Sequence, residues 1–118
     1  MKEIFYKSNN MKFDIDSIVD KDFQLSINLI SADKQTMKDI IFQGSYEYGV
    51  LSELSASINN IPIAENNDLI IKCNVEENFD ILNLRDISAD YSLEVYFIYT
   101  LHSVIVVYSS EEPDIICS

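Results

Sequence analysis

The chain has 118 residues, 20 acids against 8 lysines and arginines, a net charge of −12, and 47% apolar residues. That size suits one globular domain over residues 1–118 with its own hydrophobic core, and eighteen isoleucines with only two glycines and two prolines argue against disorder. The opening Met-Lys-Glu-Ile-Phe-Tyr-Lys lacks the apolar run of a secretory signal, and no stretch reaches the ~18–20 apolar residues that span a bilayer.

Cys73 and Cys117 stand alone, and none of the ten asparagines begins an Asn-x-Ser/Thr sequon, so the expected location is the reducing cytoplasm. The charge is unevenly spread. Residues 1–38 balance six lysines against six acids, whereas residues 39–118 set fourteen acids against only Lys72 and Arg85. Such a surface repels nucleic acid and anionic membranes and attracts basic proteins.

In chain order, Phe13, Ile15 and Ile18 alternate with Asp14 and Asp16, and Asp20-Lys21 suits a hairpin turn. Asp22 to Leu29 follows as a half-buried strand, with Phe23, Leu25, Ile27 and Leu29 on its apolar face. Thr36 to Tyr48 alternates through Ile40, Phe42, Tyr46 and Tyr48, with Gly44 placed for a bulge. Val50, Leu51, Leu54, Ile58 and Ile61 then take helical spacing until Asn59-Asn60 and Pro62.

Asp68 to Glu76 reads as a strand with Leu69, Ile71, Cys73 and Val75 on one face, and Phe79 to Ile87 fits either a short strand or a helical turn. Tyr91 to Tyr108 satisfies both templates, but its density of Val, Ile, Tyr and Phe favours two antiparallel strands turning near Leu101 to Ser103. The expected fold is therefore α+β: a mainly antiparallel sheet of about six to eight strands with one main α-helix packed on it.

Sites for chemistry are sparse. His102 is the sole histidine and sits at a turn, which leaves no Ser-His or Cys-His pair and no zinc set. Asp14-Ile15-Asp16 lacks the later ligands and glycine of a calcium loop, so both aspartates read as the wet face of a strand. With two glycines there is no phosphate-cradling loop. The expectation is no cofactor, no metal and no enzyme.

The acidic clusters remain. Glu76, Glu77, Asp80, Asp86, Asp90 and Glu94 form one, and Glu111, Glu112 and Asp114 another. Tyr91 stands beside the first, and Tyr46, Tyr48, Tyr96 and Tyr99 are interleaved with them as candidate aromatic anchors. In size and acidity the whole chain resembles bacterial immunity proteins, the antidotes to contact-dependent inhibition and polymorphic toxins, and is similar in the same loose way to phage inhibitors of nucleases. The resemblance implies a cytosolic inhibitor that neutralises a basic protein toxin, a nuclease first among them. The alternative is a small structural or assembly subunit that self-associates through exposed strand edges.

Overall fold

A computed structural model describes residues 2–8, 11–65, 67–74 and 93–117. Nine strands in two antiparallel sheets and one short helix make up the described chain: β1 Lys2–Lys7, β2 Phe13–Lys21, β3 Gln24–Ser31, β4 Met37–Phe42, β5 Ser45–Ser52, α1 Glu53–Ile58, β6 Asp68–Asn74, β7 Glu94–Tyr99, β8 Ser103–Ser109 and β9 Asp114–Cys117. One sheet has the order β1-β6-β7-β8-β5 and the other β2-β3-β4-β9. The fold is mainly β. The expected single sheet with a main helix is corrected to two sheets with six residues of helix.

The alternating strand at residues 24–31 forms as its pattern requires. Leu25, Ile27 and Leu29 are fully buried while Gln24, Ser26 and Asn28 are half-buried. They pack with Phe13, Ile40 and Phe42 against Ile70, Tyr96, Ile98, Ile105 and Val107 of the five-stranded sheet. Tyr96 is the hub of this inter-sheet core, with Phe5 and Phe42 meeting its ring edge-on at centroid distances of 5.6 and 5.4 Å. Each such fully buried side chain contributes about 1.5–3 kcal/mol of hydrophobic stabilisation.

The uneven 13, 15, 18 spacing in β2 has a simple cause. The β2–β3 register shifts between Ile15 and Ser17, so Asp16 is an extra residue that returns Ile18 to the core side. The turn lies two residues beyond the expected Asp20-Lys21. Lys21 pairs with Gln24, and Asp22 and Phe23 form a two-residue loop with φ of 55° and 63°, the type I′ geometry that matches strand twist. Phe23 therefore leaves the apolar face on which alternation placed it.

The five-stranded sheet is buried on both faces. Its second face carries Ile71, Cys73, Val95, Phe97, Val104, Val106 and Tyr108, which cluster with Ala56 of α1, Ile61 and Leu93. Leu69 departs from the face expected for it and joins the inter-sheet core, and Val75 lies outside the described residues. Residues 94–109 are two strands, as their β-branched content indicates. The turn between them needs no glycine because the Thr100 amide and hydroxyl both donate to the Ser103 carbonyl, at 2.9 and 3.0 Å.

The helix is shorter than its apolar spacing predicts because Val50 and Leu51 extend β5 in pairing with β8. The Ser52 hydroxyl caps α1 by accepting from Ser55 N, and Asn60 in the left-handed region (φ 58°) ends the segment. Leu54 and Ile58, expected to be buried, are 71% and 69% exposed. The ambiguous stretch Phe79 to Ile87 lies outside the described residues.

Gly44 is the corner of the molecule rather than a bulge within one strand. The chain passes there from β4 in one sheet to β5 in the other, and the β8–β9 connection makes the reverse passage against it. Ser110 N donates to the Gly44 carbonyl at 3.0 Å, and a Cβ on Gly44 would lie 2.6 Å from Ser110 Oγ and 3.1 Å from Glu111 N. Gly44→Ala is expected to cost about 1–3 kcal/mol through overpacking, read as a lower urea midpoint. Adding Ser110→Ala removes the closest atom and should recover part of that loss. A neutral single variant would show that the corner is open.

Candidate functional site

The corner gathers acids from three parts of the chain. Leu25 pairs with Phe42, so Phe23 and Gly44 stand two residues beyond the same rung, and Gly44 in turn touches Ser110 and Glu111. Asp20 faces Leu25 across the hairpin and Asp114 faces Ile41 at the start of β9. Glu94 faces Ser109 at the end of β8. Glu111, Glu112 and Asp114 are exposed, and Glu94 is half-buried.

Local hydrogen bonds hold the backbone of the connection that carries Glu111 and Glu112. The buried Ser109 hydroxyl donates to the Glu111 carbonyl at 2.7 Å and accepts from Glu111 N at 3.2 Å, which holds the Glu111-Glu112 turn to the sheet. Burial pushes the Tyr96 phenol well above its usual range, and the nearby charges of Glu112, Glu94 and Glu3 push it further. Those three carboxylates, from the β8–β9 turn, β7 and β1, thus share one electrostatic neighbourhood around the ring that contacts Phe42. Lys72 is the counter-charge to one of them, 3.9 Å from Glu3.

The structure therefore brings together Glu94, Glu111, Glu112 and Asp114 of the expected set. Glu76, Glu77, Asp80, Asp86, Asp90 and Tyr91 lie outside the described residues. Asp20 and Asp22 join the corner although they come from the charge-balanced first third. Of the cations of that third, Lys21 stays at the corner beside Asp22, whereas Lys12 precedes β2 and Lys34 and Lys38 bracket the start of β4 at the other end of the four-stranded sheet.

Of the tyrosines named as candidate anchors, Tyr96 and Tyr99 are taken up by the fold, while Tyr91 and the side chain of Tyr46 lie outside what the structure describes. Tyr96 is 1% exposed in the core, and the half-buried Tyr99 donates its hydroxyl to the Pro62 carbonyl, with burial pushing its phenol up. Tyr48 packs partly against the inter-sheet core. The anchor that the corner offers instead is Phe23, 94% exposed at the hairpin tip. Type I′ loops favour Asn-Gly because both residues need positive φ, and a bulky side chain there is strained. Its one sequence signal was Asp-Phe following directly on Asp-Lys, a turn with two candidate positions.

Elsewhere the described residues offer little chemistry. His102 is exposed in the β7–β8 turn, where the Ser103 hydroxyl pairs with Thr100 Oγ1 at 2.8 Å rather than with the imidazole. Among the described residues no three His, Cys, Asp or Glu side chains gather as a metal site. Asp14 accepts from Ile15 N at 2.9 Å, and Asp16 sits exposed in the β2 bulge. Neither cysteine is in a disulfide, and no helix among the described residues is long and apolar enough to cross a membrane.

Strain at the tip has a measurable sign. A left-handed L-residue costs about 1–2 kcal/mol, and glycine gives back about 0.5–1 in the unfolded chain. Phe23→Gly is thus expected to raise stability by about 0.5–1 kcal/mol, seen as a melting temperature a few degrees higher. A destabilised variant would mean that the ring makes contacts within the fold. Compared with protein-family models, curated proteins and solved structures, the chain matches none, so its function is argued from the chemistry of this corner.

Proposed function

We propose that this protein is a cytosolic, non-enzymatic inhibitor of the immunity type, which binds and neutralises a basic protein toxin, most readily a nuclease, through the acidic corner. The observation that carries the reading is one strained, exposed phenylalanine at the β2–β3 hairpin tip, at the same end of the four-stranded sheet as Asp20, Asp22 and Asp114 and the Glu111-Glu112 connection, with Lys21 beside it. Interfaces draw most of their energy from a few aromatic anchors in desolvated pockets, and charges around them chiefly steer encounter and set specificity. A nuclease must present Lys and Arg to hold substrate phosphates, and the corner offers carboxylates to the same groups. Glu94 and the acids of residues 76–90, with Tyr91, extend the proposed contact surface in sequence.

Assembly through strand edges is the weaker reading, because each edge strand of the described sheets is blunted. The register of β1 shifts on either side of Tyr6, β2 is bulged at Asp16, β5 is irregular between Ser45 and Glu47, and β9 has four residues. Bulges, charges and short length are the devices that keep edges from pairing with other chains. Light scattering on a sizing column is expected to report a monomer, and a stable oligomer would favour the assembly reading.

The deciding experiment expresses the product of the neighbouring reading frame with and without this protein. Toxicity relieved only by the intact protein is the expected result, and no toxicity with no complex would overturn it. In the purified complex, Phe23→Ala should raise Kd by about 30-fold, the ~2 kcal/mol of an anchor residue. Joint reversal of Glu111, Glu112 and Asp114 to lysine should slow association about ten-fold or more at low salt, and the effect should fade as salt shortens the Debye length.

A further inference from the structure

The far end of the four-stranded sheet holds a second cluster, distinct from the acidic corner. Lys38 on β4 faces Cys117 on β9 across the ladder, and Tyr6 reaches them from β1 of the other sheet. The Lys38 ammonium donates to Cys117 Sγ at 3.1 Å and to the Tyr6 hydroxyl at 3.0 Å, and that hydroxyl lies 3.7 Å from the same sulfur. The ammonium is held independently of the thiol, 5.2 Å from the centroid of the Tyr6 ring and 5.7 Å from that of Phe13. Cys117 is exposed, whereas Cys73 is 1% exposed in the packed second face.

We propose that Cys117 is a modification site, a thiolate set between Lys38 and Tyr6 that exchanges with small disulfides reaching it from solvent. A reactive cysteine needs exposure, a nearby cation to favour the anion, and a donor to orient it. All three are present here: Cys117 on β9, Lys38 on the adjacent β4, and Tyr6 on β1 of the other sheet. The hydrogen bond from Lys38, then that from Tyr6, hold the thiol below its ordinary range, and the Lys38 charge acts in the same direction. Lys38 is reciprocally held in its charged form despite partial burial, first by Tyr6 and then by Cys117.

In the exchange, the Cys117 sulfur, its proton already lost to solvent, attacks one sulfur of the disulfide along the S–S axis. The Sγ–S bond forms as the S–S bond breaks, and the departing thiolate takes a proton from water. Cys117 is oxidised to a mixed disulfide and half of the reagent is reduced to a thiol. The product leaves the Lys38 ammonium without its anion. The site lies at the opposite end of β4 and β9 from the corner, so this inference stands apart from the proposed inhibitor role.

The test uses the intact protein with iodoacetamide and with bis(hydroxyethyl) disulfide, both uncharged, and locates adducts by peptide mass. Cys117 is expected to be labelled with a pH midpoint below the ~8.5 of a free cysteine, while Cys73 stays unlabelled in the folded protein. Its midpoint should return to the ordinary value when the same protein is unfolded in urea, which needs no variant. Lys38→Met should move the folded midpoint upward and slow labelling near neutral pH by about five-fold or more, Lys38→Arg should retain most of the effect, and Tyr6→Phe should fall between them. A folded midpoint equal to the unfolded one, or one unmoved by Lys38→Met, overturns the proposal. Failure of bis(hydroxyethyl) disulfide to form the adduct at Cys117 does the same.

Discussion

The passage of two chain segments through one corner organises this molecule. β4 turns into β5 at Gln43-Gly44 while the β8–β9 connection passes back against it, so close that a Cβ on Gly44 would crowd Ser110 Oγ and Glu111 N. Because both passages occur at one place, Phe42 meets Tyr96 and the two sheets are held face to face around that contact. The same crowding fixes where charge accumulates. Connections tolerate polar residues that the buried faces of strands do not, and Glu111 and Glu112 fall in one, with Asp114 exposed at the start of β9.

How legible this was from the sequence depended on the range of the interaction involved. β3 was readable because alternation over residues 24–31 is a local pattern with one buried face. The two strands of 94–109 were readable from β-branched density, even though their turn lacks glycine, since Thr100 and Ser103 supply hydrogen bonds that composition does not announce. Gly44 was noticed but misplaced, because a strand that continues and a strand that switches sheets carry the same alternation. The helix was overextended for a related reason: Val50 and Leu51 fit helical spacing, and their pairing with Ile105 and Val104 is invisible without β8. Local propensity yields to long-range pairing at such places.

The site divides in the same way. That Glu111, Glu112 and Asp114 would be accessible followed from their position after a long apolar strand. That Asp20 and Asp22 would join them did not, because the link runs through the pairing of β3 with β4. Residue type leaves Tyr96 and Tyr99 open between anchor and core, and a tyrosine with a satisfied or sheltered hydroxyl is as much a core residue as a phenylalanine. Phe23 was read by residue type as core, and two positive φ angles put it outside. This reversal follows from turn geometry, which moves a side chain to another face without changing its chemistry.

The four-stranded sheet consequently has a direction of its own. Its corner end carries Asp20, Asp22 and Asp114 with Lys21, and its far end carries Lys12, Lys34 and Lys38 with Asp14 and Asp33. Each end places a different chemistry beside its charge: an aromatic ring strained outward among carboxylates at one, and a thiol held against an ammonium at the other. Neither arrangement serves the core. A left-handed phenylalanine costs stability where glycine would relieve it, and an exposed thiol adds nothing that serine or valine at a sheet edge would lack. Sequence choices that conflict with the local rules of folding concentrate where a protein meets something other than itself. On this chain, the interior of the sheet obeys those rules through Leu25, Ile27, Leu29 and Ile40, and the departures fall at its two ends.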